Sequence, residues 1–217
     1  MREQHLSVSR TARYFTLGTR EGAREVWIVC HGYAQLAARF LERFRALDDG
    51  GRYIVAPEGL SRFYLTESPA ERRVGASWMT REDRLHEIDD YVAYLESVCR
   101  AVAGPGIPVT ALGFSQGTAT VCRWAALGVA PIHRLIVWGG EVPPDLDLGV
   151  ARTAERLRAA RLTLVYGHAD PYFTPKIVAA TEERLQSHAI PYTRVSFDGG
   201  HEIAEPVLRE IAAASGI

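Results

Sequence analysis

Residues 109–118 of this 217-residue chain read VTALGFSQGT. An apolar run meets Gly-Phe-Ser-Gln-Gly, and a segment compatible with a helix follows at residues 118–127. This pattern is typical of a nucleophile elbow, in which a strand turns sharply at a serine and a helix begins at once. Gly113 and Gly117 lack the Cβ atoms that would collide with neighbouring backbone in such a turn. The pattern therefore predicts that Ser115 sits at the elbow with its hydroxyl pushed outward.

The composition is that of a globular protein, with 47% hydrophobic and 24% charged residues. The length suits one domain that buries about 70% of the surface of the unfolded chain. We therefore expect residues 1–217 to form a single domain. The formal net charge of −1 favours neither nucleic acid nor an anionic membrane as a partner.

The start of the chain and its cysteines bear on where the protein resides. Residues 1–7 contain no apolar leader segment, and no run approaches the length of a membrane span. Cys30, Cys99 and Cys122 lack CxxC or zinc-like spacing, so we interpret them as buried, reduced thiols. The seven histidines show no HExxH pairing, which disfavours a metal site. We expect a cytoplasmic protein with no metal, no other cofactor and no stable membrane insertion.

Apolar runs alternate with helix-compatible segments along the chain. Beside the elbow, such runs occur at residues 26–30, 53–57, 135–138 and 162–166, and residues 192–197 are the last predicted strand. Uninterrupted apolar runs are expected of strands that are covered on both faces. A strand–helix–strand alternation implies a parallel sheet with right-handed crossovers. The predicted fold class is α/β, with a mostly parallel sheet, helices on both faces and no large cap domain.

Residues 59–80 interrupt this alternation. The stretch is longer than a usual connection between strand and helix, and it carries several aromatic side chains among arginines. Long loops in compact domains are usually functional or disordered, and the aromatic content favours a functional loop.

Two residues downstream of the elbow are the expected partners of Ser115. Open α/β sheets hold their chemistry at the carboxyl ends of the strands, and Asp170 and His201 each follow such an end. The order Ser…Asp…His is that of the α/β-hydrolases. In this arrangement His201 takes the Ser115 proton and later returns it to the leaving group. Asp170 would hold the imidazole in one tautomer and stabilise its cation.

Other acids and histidines are weaker candidates. Asp198 lies in an Asp-Gly-Gly turn, where a turn-forming role is the simpler interpretation. Asp145 and Asp147 stay open as rivals for the acid, since some hydrolases place it one strand earlier. His168 lies on the same loop as the predicted acid, and we interpret it as a loop-lining residue.

Two backbone N–H groups are the expected oxyanion donors. Gly32 permits a close turn that aims the N–H of Tyr33 at the same point as the N–H of Gln116, which begins the elbow helix. His31 belongs to this loop and is expected to hydrogen-bond backbone there. Losing one oxyanion donor typically costs about 10²–10³ in turnover.

Four short motifs together resemble the phospholipase/carboxylesterase family of α/β-hydrolases. They are GFSQG at residues 113–117, the pair His31-Gly32, the Asp170-Pro171 turn and GGHEI at residues 199–203. The family includes bacterial serine esterases and acyl-protein thioesterases. The resemblance covers residues 26–211. It implies an α/β-hydrolase fold, the catalytic triad Ser115, Asp170 and His201, and oxyanion N–H groups from Tyr33 and Gln116.

Three segments depart from that family's pattern or match it only in position. The family usually shows His-Gly-Leu-Gly-Asp where this chain has His-Gly-Tyr-Ala-Gln at residues 31–35. The difference implies an acyl pocket reshaped by Tyr33. Trp-Gly-Gly-Glu at residues 138–141 replaces a common Ser-Gly turn and brings a ring and a carboxylate near the pocket. Residues 76–79 match the position of the family's substrate-binding loop.

The predicted function is a serine hydrolase that cleaves carboxylic esters or thioesters of short to medium acyl chains through an acyl-enzyme on Ser115. The expected partner is a small-molecule ester or thioester. Two alternatives stay open, namely a lysophospholipase or acyl-protein thioesterase, and a non-catalytic binding protein with a hydrolase fold. Arg72 and Arg73 would suit an anionic substrate, although a solvated loop is the simpler interpretation. The residues predicted to line the substrate pocket are Phe63, Tyr64, Trp78, Met79, Trp138, Tyr172 and Phe173.

Overall fold

The structure, a computed structural model, describes residues 1–66, 68 and 72–214. The described chain forms a seven-stranded sheet and a separate two-stranded sheet. The strands are β1 (Tyr14–Leu17), β2 (Glu25–Cys30), β3 (Arg52–Pro57), β4 (Ser61–Tyr64), β5 (Val74–Ser77), β6 (Val109–Phe114), β7 (Ile132–Trp138), β8 (Arg161–Gly167) and β9 (Tyr192–Phe197). The helices are α1 (Ala37–Leu41), followed directly by a 3₁₀ helix (Glu42–Leu47), α2 (Arg84–Val102), α3 (Gln116–Leu127), α4 (Ala151–Ala159), α5 (Pro175–Ser187) and α6 (Glu205–Ala213). None of these described helices is long and apolar enough to cross a bilayer.

The large sheet has the strand order β1-β3-β2-β6-β7-β8-β9. Every neighbouring pair from β3 to β9 is parallel, whereas β1 pairs with β3 in the antiparallel sense at one edge. The elbow strand β6 therefore lies near the middle of the sheet. The carboxyl ends of β2, β6, β7, β8 and β9 meet at one edge, which is where the predicted site residues follow their strands.

The two faces of the sheet form separate hydrophobic cores. In β2, Val26, Ile28 and Cys30 belong to one core, and Trp27 and Val29 belong to the other. This division follows from the alternation of side chains along a strand. Helices α2, α3, α4 and α5 cover the first face, and α1, the 3₁₀ helix and α6 cover the second. The prediction of a mostly parallel sheet with helices on both faces is confirmed.

The long connection at residues 59–80 contains an antiparallel hairpin rather than an irregular loop throughout. Strands β4 and β5 pair from Ser61 with Ser77 to Tyr64 with Val74. In β4 half-buried and exposed side chains alternate, which is the period of a strand with one covered face. Residues 67 and 69–71 of the connection lie outside the described residues.

Candidate active site

The elbow has the backbone geometry that the sequence predicts. Ser115 stands between the end of β6 and the start of α3, with φ +54° and ψ −119°. A positive φ is strained for a non-glycine residue, and such strain clusters at functional sites. A Cβ on Gly113 would lie 2.2 Å from the carbonyl oxygen of Gly117, and a Cβ on Gly117 would lie 2.2 Å from that of Cys30. Only glycine fits at either position, so strand, turn and helix are packed without space.

Hydrogen bonds hold the strained serine in place. The Ser115 N–H donates to the carbonyl oxygen of Trp138 at 3.0 Å, which ties the elbow to the end of β7. The hydroxyl of Thr118 donates to the Ser115 carbonyl oxygen at 2.7 Å. The backbone of Ser115 is therefore fixed on both sides while its side chain faces the carboxyl edge of the sheet.

Asp170 and His201 form a supported pair across the loops that follow β8 and β9. The Nδ1 of His201 lies 2.7 Å from Oδ2 of Asp170. The other carboxylate oxygen, Oδ1, accepts the backbone N–H groups of Tyr172 at 2.8 Å and Phe173 at 2.9 Å. A carboxylate acts as an acceptor, so Nδ1 carries the proton in this pair and Nε2 is left with its lone pair. That is the tautomer a general base needs.

Aromatic rings fix the plane of the imidazole. The ring of Phe114 lies with its centroid 4.7 Å from that of His201, and the ring of Tyr172 meets it edge-on at 4.9 Å. Phe114 is the residue directly before the elbow serine, so the imidazole packs against a side chain at the elbow. His201 itself is half-buried.

Glycines allow close approach on both sides of the predicted site. A Cβ on Gly139 would lie 3.2 Å from Nδ1 of His201 and 3.3 Å from Oδ2 of Asp170, while a Cβ on Gly32 would lie 3.1 Å from Cβ of Ser115. Among the described residues, the Ser115 hydroxyl has no hydrogen bond to the imidazole. Such bonds are often long without substrate and shorten in the reacting complex.

The predicted oxyanion loop, residues 31–35, leaves one N–H without a partner among the described residues. In the turn after β2, the N–H of Gly32 donates to Oε1 of Gln35 at 2.9 Å, that of Ala34 donates to the carbonyl oxygen of Ala76 at 2.9 Å, and that of Gln35 donates back to Gly32. In the described part of the chain, the N–H of Tyr33 has no partner. The loop geometry that frees it includes a left-handed residue, Ala34, with φ +63°.

The second predicted donor is the N–H of Gln116 at the first position of α3, where an N–H has no partner within the helix. Its side chain has a role that the sequence reasoning missed. Oε1 accepts the N–H of Trp78 at 3.1 Å, and Nε2 donates to the carbonyl oxygen of Met79 at 2.8 Å and to Oγ of Ser77 at 3.0 Å. Gln116 thus anchors the end of the β4–β5 hairpin to the elbow helix. No motif in the sequence signals this contact.

His31 stabilises the predicted oxyanion loop through hydrogen bonds to backbone. Its Nε2 accepts the N–H of Gly59 at 3.0 Å, so Nδ1 carries the proton and donates to the carbonyl oxygen of Gly32 at 2.8 Å. Burial lowers the pKa of His31, which keeps the ring neutral and preserves this arrangement. The predicted role of His31 as a partner of backbone in this loop is confirmed.

The rival acids have other partners. Asp198 pairs with His168 at 2.9 Å on the surface. Asp145 binds Arg123 at 2.6 Å and Arg84 at 2.9 Å. Neither carboxylate is directed at His201, and among the described acids Asp170 is the one that contacts that ring. Asp147 accepts the N–H of Gly149 in a turn at 2.8 Å.

Two cavities flank the pair of Ser115 and His201. The first, of about 350 Å³, is lined by Phe114, His201, Glu202 and part of the oxyanion loop. The second, of about 320 Å³, is lined by Ser115, Gly139 to Glu141, and the loop after β8.

Two of the seven residues predicted to contact substrate, Tyr172 and Phe173, line the second cavity. The other five line neither cavity beside the site. Trp78 and Trp138 are both buried, and each donates its ring N–H to a backbone carbonyl oxygen. Trp78 donates to the carbonyl oxygen of His31 at 2.8 Å, and Trp138 donates to that of Glu202 at 2.8 Å.

The remaining three predicted pocket residues also have other contacts. Met79 is half-buried and its sulfur accepts Nη1 of Arg123 at 3.3 Å. Phe63 packs on the ring of Tyr33, with centroids 5.3 Å apart. Tyr64 is exposed beneath the guanidinium of Arg72.

Glu141, whose carboxylate the sequence places near the pocket, lines the second cavity, and Arg73 lines the first. Sequence reasoning missed Arg39 and Arg43, which also line the first cavity. These two arginines lie four residues apart, at helical spacing, and that spacing was the available signal. Of the described residues, His5, Asp83 and His86 form one exposed group with metal-ligand spacing, and they line a different cavity.

No model of a protein family matches this chain, and no curated protein matches its sequence. Its fold is similar to solved structures. Acyl-protein thioesterase 2 of Zea mays matches with a TM-score of 0.74 at 16% identity, over 94% of this chain and 97% of that one. A carboxylesterase from Mesorhizobium loti matches with a TM-score of 0.70 at 20% identity, over 93% of this chain and 94% of that one. A phospholipase/carboxylesterase from Dyadobacter fermentans matches with a TM-score of 0.63 at 17% identity, over 95% of this chain and 97% of that one. These likenesses show the α/β-hydrolase fold.

Proposed function

We propose that this protein is a serine hydrolase that cleaves carboxylic esters or thioesters of short to medium acyl chains. The observations that support the proposal are the Asp170–His201 pair, oriented by two backbone N–H groups, and a strained serine at an elbow that also follows a strand at its carboxyl end. This is the constellation in which a hydroxyl becomes a nucleophile at neutral pH. The esterase and thioesterase names of the structural neighbours support the same reaction class.

The first half-reaction forms the acyl-enzyme. Nε2 of His201 takes the Ser115 proton as Oγ attacks the substrate carbonyl carbon. The N–H groups of Tyr33 and Gln116 stabilise the negative charge on the carbonyl oxygen. His201 then returns the proton to the leaving alcohol or thiol as the ester bond breaks.

The second half-reaction releases the acid. Nε2 of His201 takes a proton from water, which attacks the acyl-enzyme, and the proton passes to Oγ of Ser115 as the new acid departs. Asp170 keeps its negative charge throughout and stabilises the imidazolium. No metal or organic cofactor enters these steps.

The cysteines are not competing nucleophiles. Cys30, Cys99 and Cys122 are all buried as free thiols. Burial raises the pKa of Cys99 to about 11 and that of Cys122 to about 12, and it raises the pKa of Cys30 further still. They stay protonated and inert at neutral pH. Buried free thiols also suit a reducing compartment, which supports our proposal of a cytoplasmic location.

The size of the cavities favours short to medium acyl chains over long ones. Volumes of about 350 and 320 Å³ fall at the lower end of the range for small-ligand pockets. A lysophospholipase or protein depalmitoylase would need a long apolar groove. A panel of p-nitrophenyl esters and acyl thioesters from two to sixteen carbons tests this choice, and a maximum at the longest chains would favour the alternative.

A fluorophosphonate probe tests the nucleophile directly. We expect it to label the protein, and we expect Ser115→Ala to abolish labelling and reduce ester turnover by at least about 10³-fold. Ser97→Ala is the matched control, because Ser97 lies on the exposed face of α2 and bonds only within its helix. Absence of labelling in the unaltered protein, or labelling that survives in Ser115→Ala, would favour a non-catalytic binding protein.

A further inference from the structure

The cavity beside His201 combines an apolar floor with a basic rim. Phe40, Phe114 and Ile203 contribute apolar surface next to the imidazole. Three arginines line the same cavity, Arg39 on α1, Arg43 on the 3₁₀ helix and Arg73 just before β5. They come from two segments of the chain that the fold brings together across the site.

The three guanidinium groups lack counter-ions among the described residues. None of them forms an ion pair or a side-chain hydrogen bond there, whereas nearby Arg45 is paired with Glu42 and Arg52 with Asp49. Among the described residues, Glu202 is the one acid that lines the cavity. Of the described side chains, three positive charges therefore face one negative charge, in a chain whose formal net charge is −1.

The second cavity has the opposite character. Glu141 lines it, and the one arginine there, Arg123, is already bound to Asp145 and to the hydroxyl of Tyr91. The excess of positive charge is thus confined to one side of Ser115 and His201. Arginines that served only solubility would not need to lie on one side of the site.

Guanidinium groups bind carboxylate and phosphate groups through paired hydrogen bonds, and they do so best at the edge of a low-dielectric pocket. We infer that the favoured substrates are esters or thioesters that carry a carboxylate or phosphate group, which Arg39, Arg43 and Arg73 bind in the cavity beside His201. This inference rests on the proposed function. The apolar floor between the imidazole and the arginines accommodates a short hydrocarbon segment that joins the reacting carbonyl to the anion.

Matched esters test the preference for an anion. The p-nitrophenyl monoester of glutaric acid carries a carboxylate, and the same ester with that carboxylate methylated is its neutral counterpart. The p-nitrophenyl ester of 4-phosphonobutyric acid replaces the carboxylate by a phosphonate. We expect kcat/KM for at least one anionic ester to exceed that of the neutral ester by about 10-fold or more at low salt, and the ratio to fall as salt screens the charges. The relative rates of the two anionic esters identify which group the arginines prefer.

Variants test whether the arginines cause the preference. We expect Arg39→Gln and Arg43→Gln each to lower the anionic-to-neutral ratio, chiefly through KM, and the double variant to bring it close to one. Arg20→Gln is the control of equal charge change, since Arg20 lies in the turn before β2, at the opposite end of the sheet, and should leave the ratio unchanged.

The outcomes separate this inference from the proposed function. If the protein hydrolyses the neutral ester as fast as both anionic ones, or if the preference survives in the double variant, the anion site is refuted while the hydrolase proposal stands. If no ester is hydrolysed and no probe reacts with Ser115, both fall together.

Discussion

Two aspartate–histidine pairs join the same two loops in a crossed arrangement. Asp170 on the loop after β8 pairs with His201 on the loop after β9, at 2.7 Å. His168 on the first loop pairs with Asp198 on the second, at 2.9 Å. The distances are nearly equal, but the surroundings differ. The Asp170 side chain is 1% exposed, whereas that of Asp198 is fully exposed.

Support from the backbone separates the two pairs further. Both oxygens of the Asp170 carboxylate are used, because Oδ1 accepts two N–H groups while Oδ2 accepts the N–H of the imidazole. A surface pair such as His168 with Asp198 is screened by water and contributes about 0–1 kcal/mol. The contact distance therefore does not distinguish the two pairs, whereas burial and fixed backbone donors do.

Exchanging the acid in each pair should give the largest contrast. Asp170→Asn leaves the shape of the site but favours the wrong imidazole tautomer, so we expect kcat to fall by about 10³–10⁴-fold. Asp198→Asn should change kcat by less than about 2-fold. Steady-state kinetics on a p-nitrophenyl ester measures both.

The reverse result would overturn the assignment of the acid. An inactive Asp198→Asn protein beside an active Asp170→Asn protein, both folded by circular dichroism, would make Asp198 the partner of His201. His168→Ala, which removes the exposed histidine of the crossed pair, should remain active and provides an independent check.

The loop that carries His201 should respond to a smaller change at Trp138. Its ring N–H donates to the carbonyl oxygen of Glu202, so Trp138→Phe removes a hydrogen bond next to the His201 imidazole. We expect a loss of about 1 kcal/mol in unfolding free energy for the buried bond and a several-fold drop in kcat. Urea unfolding and ester kinetics measure the two effects.

Trp27→Phe is the matched control for this prediction. Trp27 is fully buried, but its ring N–H has no partner among the described residues, so its replacement breaks no hydrogen bond. If the two variants lower kcat equally, the Trp138 bond does not position His201.

A third pair, Asp83 with His86 at 2.7 Å, should show the smallest effect and only on stability. The hydrogen bond to Asp83 raises the pKa of His86 and lowers that of Asp83. The raised His86 pKa stabilises the fold below about pH 6.5 and loses that effect as pH rises through the folded value. The lowered Asp83 pKa stabilises it above about pH 4 and loses that effect as pH falls.

Asp83→Asn should therefore lower Tm more at pH 5.5 than at pH 9, because both partners are charged only at the lower of these pH values. Differential scanning fluorimetry at the two pH values measures the shift. Glu183→Gln, which removes an exposed carboxylate without a described partner, should lower Tm by the same small amount at both. A larger loss at pH 9 would contradict the assignment of His86 as the titrating partner.

The sequence was sufficient for the sheet and the elbow because both depend on local rules. Uninterrupted apolar runs mark strands covered on both faces, and Gly113 and Gly117 mark a turn that leaves no room for side chains. The pairing of Asp170 with His201 followed from chain order at the carboxyl edge of the sheet. Neighbouring residues specify the strands and the elbow, and the order of the strands along the chain specifies the pairing.

The substrate pocket could not be predicted in the same way. Trp78 follows β5 and Trp138 ends β7, but both donate their ring N–H groups to backbone carbonyl oxygens and are buried. Orientation of that kind depends on distant carbonyl groups, which sequence spacing does not reveal. Arg39 and Arg73 line one cavity although they lie 34 positions apart in the chain, which is also a non-local event.

The β4–β5 hairpin is joined to the oxyanion loop by main-chain hydrogen bonds in both directions, from Ala34 to Ala76 and from Ala76 to Gln35. A Cβ on Gly75 would lie 2.6 Å from the carbonyl oxygen of Ala34, so the two backbones touch. Anyone redesigning this protein for new substrates has unequal freedom along the hairpin. Substitutions of Leu65 and Arg73, which line the cavity beside His201, should change recognition alone. Insertions within β5 should displace the N–H of Tyr33, the proposed oxyanion donor, and lower turnover on every substrate.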